Sequence, residues 1–396
     1  MVQSSMNQSP LTVEQAAELI LRDAPAPRAT SVPLEEAPGH VLAADVASDV
    51  DHPPFDKAMM DGYAVRSGDA GPLEVLEAIA AGRRPSRELR PGACSKIMTG
   101  APMPAGADAV QQVEKTRLRD GRVELLEPVR PGQNVAPRGQ EVRAGDPVLR
   151  RGRRIGPAEA GVLAAVGRSR VDVYARPRVA ILATGDELVL PDRVPGPGQI
   201  RNSNSTSIAA QVRALGLECD DLGLAGDDRG LLRERIREGL SRDLLLVSGG
   251  VSAGDWDLVI PALRDAGVEI RMHQALIKPG RPFCFAPRVF GLPGNPVSAF
   301  VIFEVFVRPY LGRMMGADLA RPRVRARLQT AVTRKIERVH YLPARVRYEE
   351  GEYRAELVPW TGSADLFALA RADGFVVVPI QTAYEKGATV DCMLMD

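Results

Sequence analysis

Residues 243–257, which read DLLLVSGGVSAGDWD, decide the fold of this chain. Residues 244–247 form a short continuous apolar run, as expected for a strand that is buried on both faces of a parallel sheet. Ser248, Gly249 and Gly250 end this run at once, and the two glycines let backbone N–H groups approach an anion without a Cβ in the way. Because ligands of open α/β sheets bind outside the carboxyl ends of the strands, the stretch predicts a phosphate-binding loop.

An SGG turn alone is also typical of an ordinary connection between a strand and a helix, so the residues that follow it matter. These include Asp255 and Asp257, whose carboxylates are hard oxygen ligands. Carboxylates repel bare phosphate, but they suit it when Mg²⁺ lies between them. The two aspartates therefore favour a ligand-binding loop over a plain connection.

The same layout occurs once more, earlier in the chain. Residues 178–183 (RVAILA) are a second apolar run, and the acids Asp186 and Glu187 follow it directly. Residues 207–215 and 229–240 read as helices and residues 217–224 as a strand. This alternation of strands and helices predicts a doubly wound parallel sheet over residues 176–316.

Short polar side chains precede both helices, at residues 202–204 and at Asp227 and Asp228, and are expected to cap them. Two further loops of the sheet unit read IKPGRPF (277–283) and GLPGNPVSAF (291–300). The second leads into an apolar helix that is predicted to end near Pro309.

The remaining chain is predicted to form three other parts. Residues 1–48 with 144–175 make a discontinuous N-terminal and linking domain, which includes a helix that starts at a Thr12/Gln15 capping box. Residues 49–143 are an inserted module of short strands, set apart by Pro53 and Pro54. Residues 317–396 alternate apolar and polar side chains with Gly and Pro turns, as in a small β-barrel or sandwich.

Composition excludes several classes of partner. The 396 residues include 51 basic and 50 acidic ones, a formal charge of +1, so no overall field favours nucleic acid or a membrane surface. The four cysteines lie far apart, which indicates neither a zinc site nor a disulfide framework. The longest apolar stretch, near residues 297–307, is too short for a membrane span. We expect a cytoplasmic protein.

The side chains also limit the chemistry. No nucleophile elbow, Walker loop or complete dinucleotide fingerprint is present. Acid-rich loops recur beside the glycine loop and the basic loop that carries Lys278 and Arg281. This mixture predicts a phosphorylated ligand bound through Mg²⁺, although each acid by itself is more often a helix cap or a surface residue.

Six motifs in this order resemble the molybdopterin molybdenumtransferase family, which includes bacterial MoeA and the gephyrin E domain: MMDGYAV, IMTGAPMPAGADAV, ATGDELV, SGGVSAGDWD, IKPGRP and GLPGNPVSAF. The resemblance covers nearly the whole chain. It implies four domains, a homodimer and a sheet unit similar to molybdopterin adenylyltransferase, itself a possible partner. It also implies a Mg²⁺-dependent reaction of adenylated molybdopterin with molybdate that yields molybdenum cofactor and AMP.

Carried over residue by residue, the resemblance implies sites in three regions. The β module contributes the catalytic residues Asp61 and Thr99. The sheet unit contributes the catalytic acids Glu187 and Asp257, the metal ligands Glu187, Asp227, Asp228 and Asp257, and the substrate loop Ser248, Gly249 and Gly250. The later loops and the tail contribute Lys278 and Arg281 for pterin phosphate or pyrophosphate, and Pro293, Pro296, Arg345 and Ser363 for molybdate. Mg²⁺ on the acids would activate the phosphoanhydride, while the molybdate pocket places the dianion beside the dithiolene.

The chain departs from the family pattern at several places, including Met59, which replaces a small residue, and Arg281, where lysine is more common. Glu141 and Asn202 stand where the family usually has aspartate, and the spacing of RVHYLPAR around Arg345 is unusual. Two alternative functions remain, an adenylyltransferase and a non-catalytic scaffold. The first would lack the β module and the tail, and the second is expected to have lost the acids. Which molybdoenzymes are served, and whether molybdenum or tungsten is preferred, stays open.

Overall fold

The structure, a computed structural model, describes residues 10–226, 228–251 and 258–395. Its strands are β1 (Ala29–Pro33), β2 (Val46–Ala47), β3 (Lys57–Ala58), β4 (Gly62–Val65), β5 (Leu73–Ile79), β6 (Ala93–Ile97), β7 (Ala109–Gln112), β8 (Thr116–Arg119), β9 (Arg122–Leu125), β10 (Val135–Ala136), β11 (Pro147–Leu149), β12 (Arg170–Tyr174), β13 (Val179–Ala183), β14 (Leu188–Val189), β15 (Ile200–Arg201), β16 (Cys219–Leu224), β17 (Leu244–Ser248), β18 (Met272–Gln274), β19 (Ile277–Lys278), β20 (Pro282–Ala286), β21 (Val289–Leu292), β22 (Arg323–Leu328), β23 (Val339–Glu349), β24 (Glu352–Leu357), β25 (Gly374–Val378) and β26 (Thr389–Leu394).

The α-helices are α1 (Val13–Arg22), α2 (Pro157–Ala165), α3 (Ser203–Ala214), α4 (Arg229–Leu240), α5 (Val259–Asp265), α6 (Pro296–Ile302), α7 (Arg308–Met314) and α8 (Leu366–Leu369). Short 3-10 turns occur at Leu34–Glu36 and Val113–Lys115, and a π-helical turn at Phe303–Val307. None of the helices within the described ranges is long and apolar enough to cross a membrane.

The chain forms two compact units. The first comprises Met1–Thr30, Gly39–Val41 and Val173–Asp396, and the second comprises Ser31–Pro38 and Leu42–Asp172. The predicted sheet unit and tail both belong to the first unit, and the whole of the predicted β module belongs to the second. The predicted discontinuous domain is divided between the two units.

A six-stranded sheet forms the centre of the first unit, in the order β16-β13-β17-β21-β20-β18. The first four strands are parallel, which confirms the predicted parallel sheet. The last two, β20 and β18, are antiparallel to their neighbours. An antiparallel edge of this kind is common on sheets that are otherwise parallel.

Helices cover both faces of this sheet because successive side chains of a strand point to opposite sides. On β13, Ile181 packs in a core cluster with Ile208 of α3, and the next residue, Leu182, packs in a second cluster with Leu232 of α4. Every residue of β13 and of β17 is buried. The doubly wound architecture follows from these two apolar layers.

The register of the parallel strands brings three loops to one edge of the sheet. Ala183, the last residue of β13, lies opposite Ser248, the last residue of β17. Ser248 in turn lies opposite Leu292, the last residue of β21. The loops that follow these three strands therefore start side by side, as expected at the carboxyl edge of a doubly wound sheet.

The tail forms a closed barrel, as predicted. Neighbouring strands pair in the order β23-β24-β22-β26-β25, and β25 pairs back onto β23 to close the ring. Inward side chains such as Ala344, Val376 and Cys392 fill its core. Strand β19 of the sheet unit pairs in parallel with the beginning of β23, which sets Lys278 opposite His340.

The second unit contains a six-stranded sheet in the order β7-β4-β6-β5-β9-β8, which confirms the β character of the module. Its pairs are antiparallel except for β5 with β6. Tyr63, Cys94 and Val123 lie in its core.

One predicted helix end is wrong. The helical segment that begins at Pro296 does not stop near Pro309 but continues to Met314. Pro309 occupies the first turn of α7, after the π-helical turn. A proline is tolerated in the first turn of a helix, where its missing N–H group has no partner in the helix.

The glycine loop after β17 fits tightly against the loop after β13. Gly249 is buried and has a φ of +91°, and a Cβ there would lie 2.4 Å from the carbonyl oxygen of Thr184. Only a glycine satisfies both conditions, because other residues are strained at this φ and would clash with backbone. The close approach of the two loops therefore depends on the missing side chain.

We predict that Gly249→Ala lowers the free energy of unfolding by about 2–5 kcal/mol, which combines backbone strain with overpacking. Gly198→Ala is the matched control, since Gly198 also has a positive φ, +78°, but nothing lies within 4 Å of its Cβ position. The control should cost only about 1–2 kcal/mol. Urea denaturation measures both values, and equal losses would contradict the tight fit.

Candidate functional site

A cavity of about 1400 Å³ opens at the carboxyl edge of the parallel sheet, and all of its lining residues belong to the first unit. The loops after β13, β17 and β21 form one side of it, and segments before and after the barrel strands β23 and β24 form the other. Nine of the predicted site residues line it: Glu187, Ser248, Gly249, Gly250, Lys278, Arg281, Pro293, Pro296 and Ser363. The structure thus brings most of the predicted set together.

Asn204 joins two loops of the cavity. Its Nδ2 group donates to Ser248 Oγ at 2.8 Å and to the carbonyl oxygen of Gly294 at 2.8 Å. The side chain is buried, since only 8% of the residue is exposed. Sequence reasoning treated Asn204 only as part of a helix cap and missed this role, which requires a contact across 44 residues.

Ser363 is held beside the loop after β21. Asn295 Nδ2 donates to Ser363 Oγ at 3.0 Å, and the Val297 N–H group donates to the Ser363 carbonyl oxygen at 3.0 Å. Because Ser363 Oγ accepts the first bond, its own O–H group stays available as a donor. Ser363 can therefore donate a hydrogen bond to an anion in the cavity.

A cationic wall lies on the barrel side of the cavity and consists of Lys278, Arg334 and Arg338. Burial lowers the pKa of Lys278, and the charges of Arg334 and then Arg338 lower it further. Among the described residues, no carboxylate forms an ion pair with any of the three. Three neighbouring cations without a counter-ion make this wall a site for an anion.

Arg345 does not line the cavity, although the sequence placed it in an anion pocket with Ser363. It lies five residues beyond His340 on β23, which is roughly 16 Å along an extended strand. Its Nε donates to the Arg371 carbonyl oxygen at 3.4 Å. The cavity instead receives Arg338, because the pairing of Lys278 with His340 brings the beginning of β23 to this place.

The predicted acids have different surroundings. Glu187 lines the cavity and is exposed, and its carboxylate forms no hydrogen bond or ion pair with the described residues. Asp228 caps α4, since its Oδ1 accepts from the Leu231 N–H group at 2.9 Å, and it does not line the cavity. Asp227 and Asp257 lie outside the described residues.

Within the described ranges, no three His, Cys, Asp or Glu side chains form a metal-binding cluster. Mg²⁺ usually keeps several water ligands and is held by one or two carboxylates together with substrate phosphates. Glu187, unpaired and beside the glycine loop, has the donor chemistry that such a site needs.

Asp61 and Thr99 lie together in the second unit. The backbone N–H group and the hydroxyl of Thr99 both donate to Asp61 Oδ1 at 2.7 Å. These bonds, the backbone one first, lower the pKa of Asp61. The carboxylate is therefore ionised at neutral pH and is suited to a fixed negative charge rather than to donating a proton.

Two of the positions that depart from the family pattern have ordinary structural surroundings. Asn202 is buried and caps α3, since its Oδ1 accepts from the Ser205 N–H group at 3.1 Å. An aspartate would make the same bond, so the substitution removes a charge but keeps the predicted cap. Glu141 is exposed in the second unit.

Two aromatic side chains of the cavity were also missed. Trp360 and Phe367 line it from the barrel side. Phe367 is 82% exposed, more than any other aromatic side chain among the described residues. Neither residue carries a sequence signal, because an aromatic residue in a β-rich tail is normally part of the core.

Comparison with known proteins agrees with this arrangement. Three family models match in succession: the MoeA N-terminal region (domain I and II) over residues 11–167, the probable molybdopterin binding domain over 180–313, and the MoeA C-terminal region (domain IV) over 325–395. The crystal structure of the molybdopterin biosynthesis MoeA protein from Pyrococcus horikosii has 32% sequence identity and a TM-score of 0.85, covering 98% of this chain and 100% of that one.

Two curated relatives carry the name molybdopterin molybdenumtransferase. The protein from Nostoc sp. is 39% identical over 72% of this chain and 69% of its own length. The protein from Staphylococcus aureus (strain Mu50) is 31% identical over 98% of this chain and 96% of its own length. Since such relatives span most of both chains and the three regional models follow one another along the sequence, the chain belongs to the molybdopterin molybdenumtransferase family.

Proposed function

We propose that this protein is a transferase that inserts molybdate into adenylated molybdopterin and releases AMP in a Mg²⁺-dependent step. The observation that carries the proposal is one cavity in which a glycine loop, a carboxylate and a cationic wall face the same space, the last two without an ion-pair partner among the described residues. A diphosphate with its Mg²⁺ needs the glycine loop and the carboxylate, and a tetrahedral dianion needs the cationic wall. Adenylated molybdopterin and molybdate together present both kinds of group.

The diphosphate subsite is assigned to Ser248, Gly249 and Gly250. The Gly249 N–H group already donates to the Leu292 carbonyl oxygen, so the donor that this loop offers to phosphate oxygens is the N–H group of Gly250. Asn204 fixes the loop through Ser248 Oγ. Glu187 stands beside it at the end of β13. Glu187, with Asp227 and Asp257 as further proposed acids, would hold Mg²⁺, which would neutralise charge on the diphosphate oxygens and polarise phosphorus. Asp228 is left out of this set because it caps α4 and does not line the cavity.

The molybdate subsite is assigned to the cationic wall and Ser363. Lys278 and Arg338 supply charge, and Ser363 supplies a hydroxyl donor that its bond from Asn295 orients. Pro293 and Pro296 shape the opposite side, next to the same Asn295. Arg338 takes the role that the sequence gave to Arg345.

Two alternatives fit the structure less well. A molybdopterin adenylyltransferase has no use for the closed barrel that supplies Arg338 and Ser363 to the cavity. A non-catalytic scaffold has no use for an unpaired Glu187 beside the glycine loop. We also propose a homodimer that receives its substrate from an adenylyltransferase.

The decisive experiment measures AMP release from adenylated molybdopterin. We expect release to require both Mg²⁺ and molybdate, and Glu187→Gln to lower it by about 10²-fold by removing a metal-binding charge. Glu269→Gln is the control, because Glu269 is an exposed acid of the same unit and does not line the cavity. AMP release that is independent of molybdate would point to a different reaction.

A second prediction separates Arg338 from Arg345. Arg338→Ala should raise the molybdate concentration for half-maximal AMP release by about 10- to 100-fold, because a charge-assisted hydrogen bond is lost. Its KM for adenylated molybdopterin should change less than about twofold. Arg345→Ala, the matched control seven residues further along the chain, should leave both values unchanged. If instead Arg345→Ala raised the molybdate concentration for half-maximal AMP release and Arg338→Ala did not, the anion subsite would contain Arg345.

A third prediction concerns the homodimer, in which we propose that Asp61 and Thr99 of one subunit serve the cavity of the other. Mixed dimers of Asp61→Ala and Glu187→Ala chains would then contain one site with both lesions and one intact site. Random exchange makes about half of the dimers mixed, so roughly a quarter of wild-type activity should return.

As controls, the Asp61→Ala homodimer and the Glu187→Ala homodimer are each taken through the same subunit-exchange procedure alone, and both should remain inactive. Mixed dimers that are verified by native mass spectrometry and remain inactive would show that each site is built within one chain.

A further inference from the structure

His340 stands among the cations of the cavity. The parallel pairing of β19 with β23 sets His340 opposite Lys278, and both line the cavity with Arg334 and Arg338. The Trp360 ring lies 6.0 Å from the imidazole, centroid to centroid. The His340 Nε2 atom is buried and has no hydrogen-bond partner among the described residues.

The neighbours of His340 hold it neutral. Burial lowers its pKa from the ordinary value of 6.5 to about 4. The charge of Lys278 acts in the same direction, followed by those of Arg338 and Arg334. An added proton would be a fourth positive charge in a wall for which the described residues provide no counter-ion.

In the part of the chain that the structure describes, the charged groups that act on the imidazole are the three cations of the wall. Strand β19 contributes Lys278, and the segment before β23 contributes Arg334 and Arg338. Strand β25 places Val378 opposite His340, and the remaining neighbour is the indole of Trp360. The protonation of His340 is therefore governed by the cationic wall and by whatever occupies the cavity.

We propose that His340 is a conditional cation of the anion subsite, which takes up a proton when a tetrahedral dianion binds among the three cations. The inference rests on the molybdate subsite proposed above. A bound dianion offsets two of the three neighbouring positive charges, so the repulsion that disfavours a protonated His340 becomes weaker. The anion itself also attracts the imidazolium group. His340 then becomes the fourth positive group of the wall and can donate a hydrogen bond to the anion.

The sign of the pH dependence follows from linkage. The pKa of His340 is about 4 in the empty cavity and is higher with the anion bound. Between these two values, binding takes up a proton, so affinity rises as pH falls through this window. Above both values the histidine is neutral in either state, and its contribution disappears.

This arrangement makes His340 a specificity-determining residue. A dianion compensates the wall more fully than a monoanion of the same shape, so it drives protonation further. The protein gains an extra cation for tetrahedral dianions only, while the empty cavity avoids a fourth unpaired charge. Perrhenate is a tetrahedral monoanion and provides the comparison.

The test uses isothermal titration calorimetry of the full chain with sulfate, a tetrahedral dianion that does not titrate near neutral pH. Titrations at about pH 5.5 and about pH 8, each in two buffers of different ionisation enthalpy, count the protons taken up. We expect an uptake of up to about one proton per sulfate at the lower pH, with a sulfate affinity up to about tenfold higher per pH unit in the window. Perrhenate should show a weaker dependence.

His340→Gln keeps a polar side chain of similar size but cannot gain a charge. We expect this variant to bind sulfate without proton uptake at the lower pH. The control is His40→Gln, which lies in the same unit but does not line the cavity and should behave as wild type. The pKa of Lys278 is also lowered by burial, and His340→Gln separates any proton uptake by Lys278 from that by His340, because this variant keeps Lys278.

Two further results distinguish the two proposals. Sulfate binding that Arg338→Ala weakens, but that proceeds without proton uptake or with the same uptake in His340→Gln, would overturn the role of His340 and leave the anion subsite in place. Absent sulfate binding, or binding that Arg338→Ala does not affect, would overturn the subsite and this inference with it.

Discussion

The parallel register of β13, β17 and β21 is the constraint on which the cavity depends. Because Ala183, Ser248 and Leu292 end their strands side by side, the loops that follow must share a narrow edge. The space is so limited that Gly249 could not carry a Cβ without striking the Thr184 carbonyl group. Fully buried strands set this register, since a slip would change the apolar packing of both faces.

Polar side chains then hold the loops that the sheet places together. Asn204 fixes the end of β17 to the loop after β21, and Asn295 fixes that loop to Ser363 of the tail. Both are neutral amides that bond hydroxyl or carbonyl groups, so they fix geometry without adding charge to an anion site. The sheet unit and the barrel can therefore present a single binding surface.

Sequence patterns predicted the parts of this structure that depend on local chemistry. The apolar runs gave the buried strands, and the caps at Thr12 and Asn202 start α1 and α3 as expected. The antiparallel strands β18 and β20 and the helical turn across Pro309 were missed, because tertiary packing overrides local preference there. The sequence assigned Arg345 to the cavity instead of Arg338 for a similar reason. Arg338 and Arg345 are equivalent as charges, and only the pairing of β19 with β23 decides between them.

A formal charge of +1 for the whole chain conceals the electrostatics of the cavity. Several surface arginines have carboxylate partners, as Arg327 has Glu352, whereas Lys278 and Arg338 have none among the described residues. Leaving such charges unpaired costs stability, and they persist where a ligand supplies the missing counter-charge. A histidine at this place adds little to the repulsion among these charges, since its imidazole is neutral in the proposed anion-free state. The same field that prepares the cavity for a dianion therefore also controls whether His340 is charged.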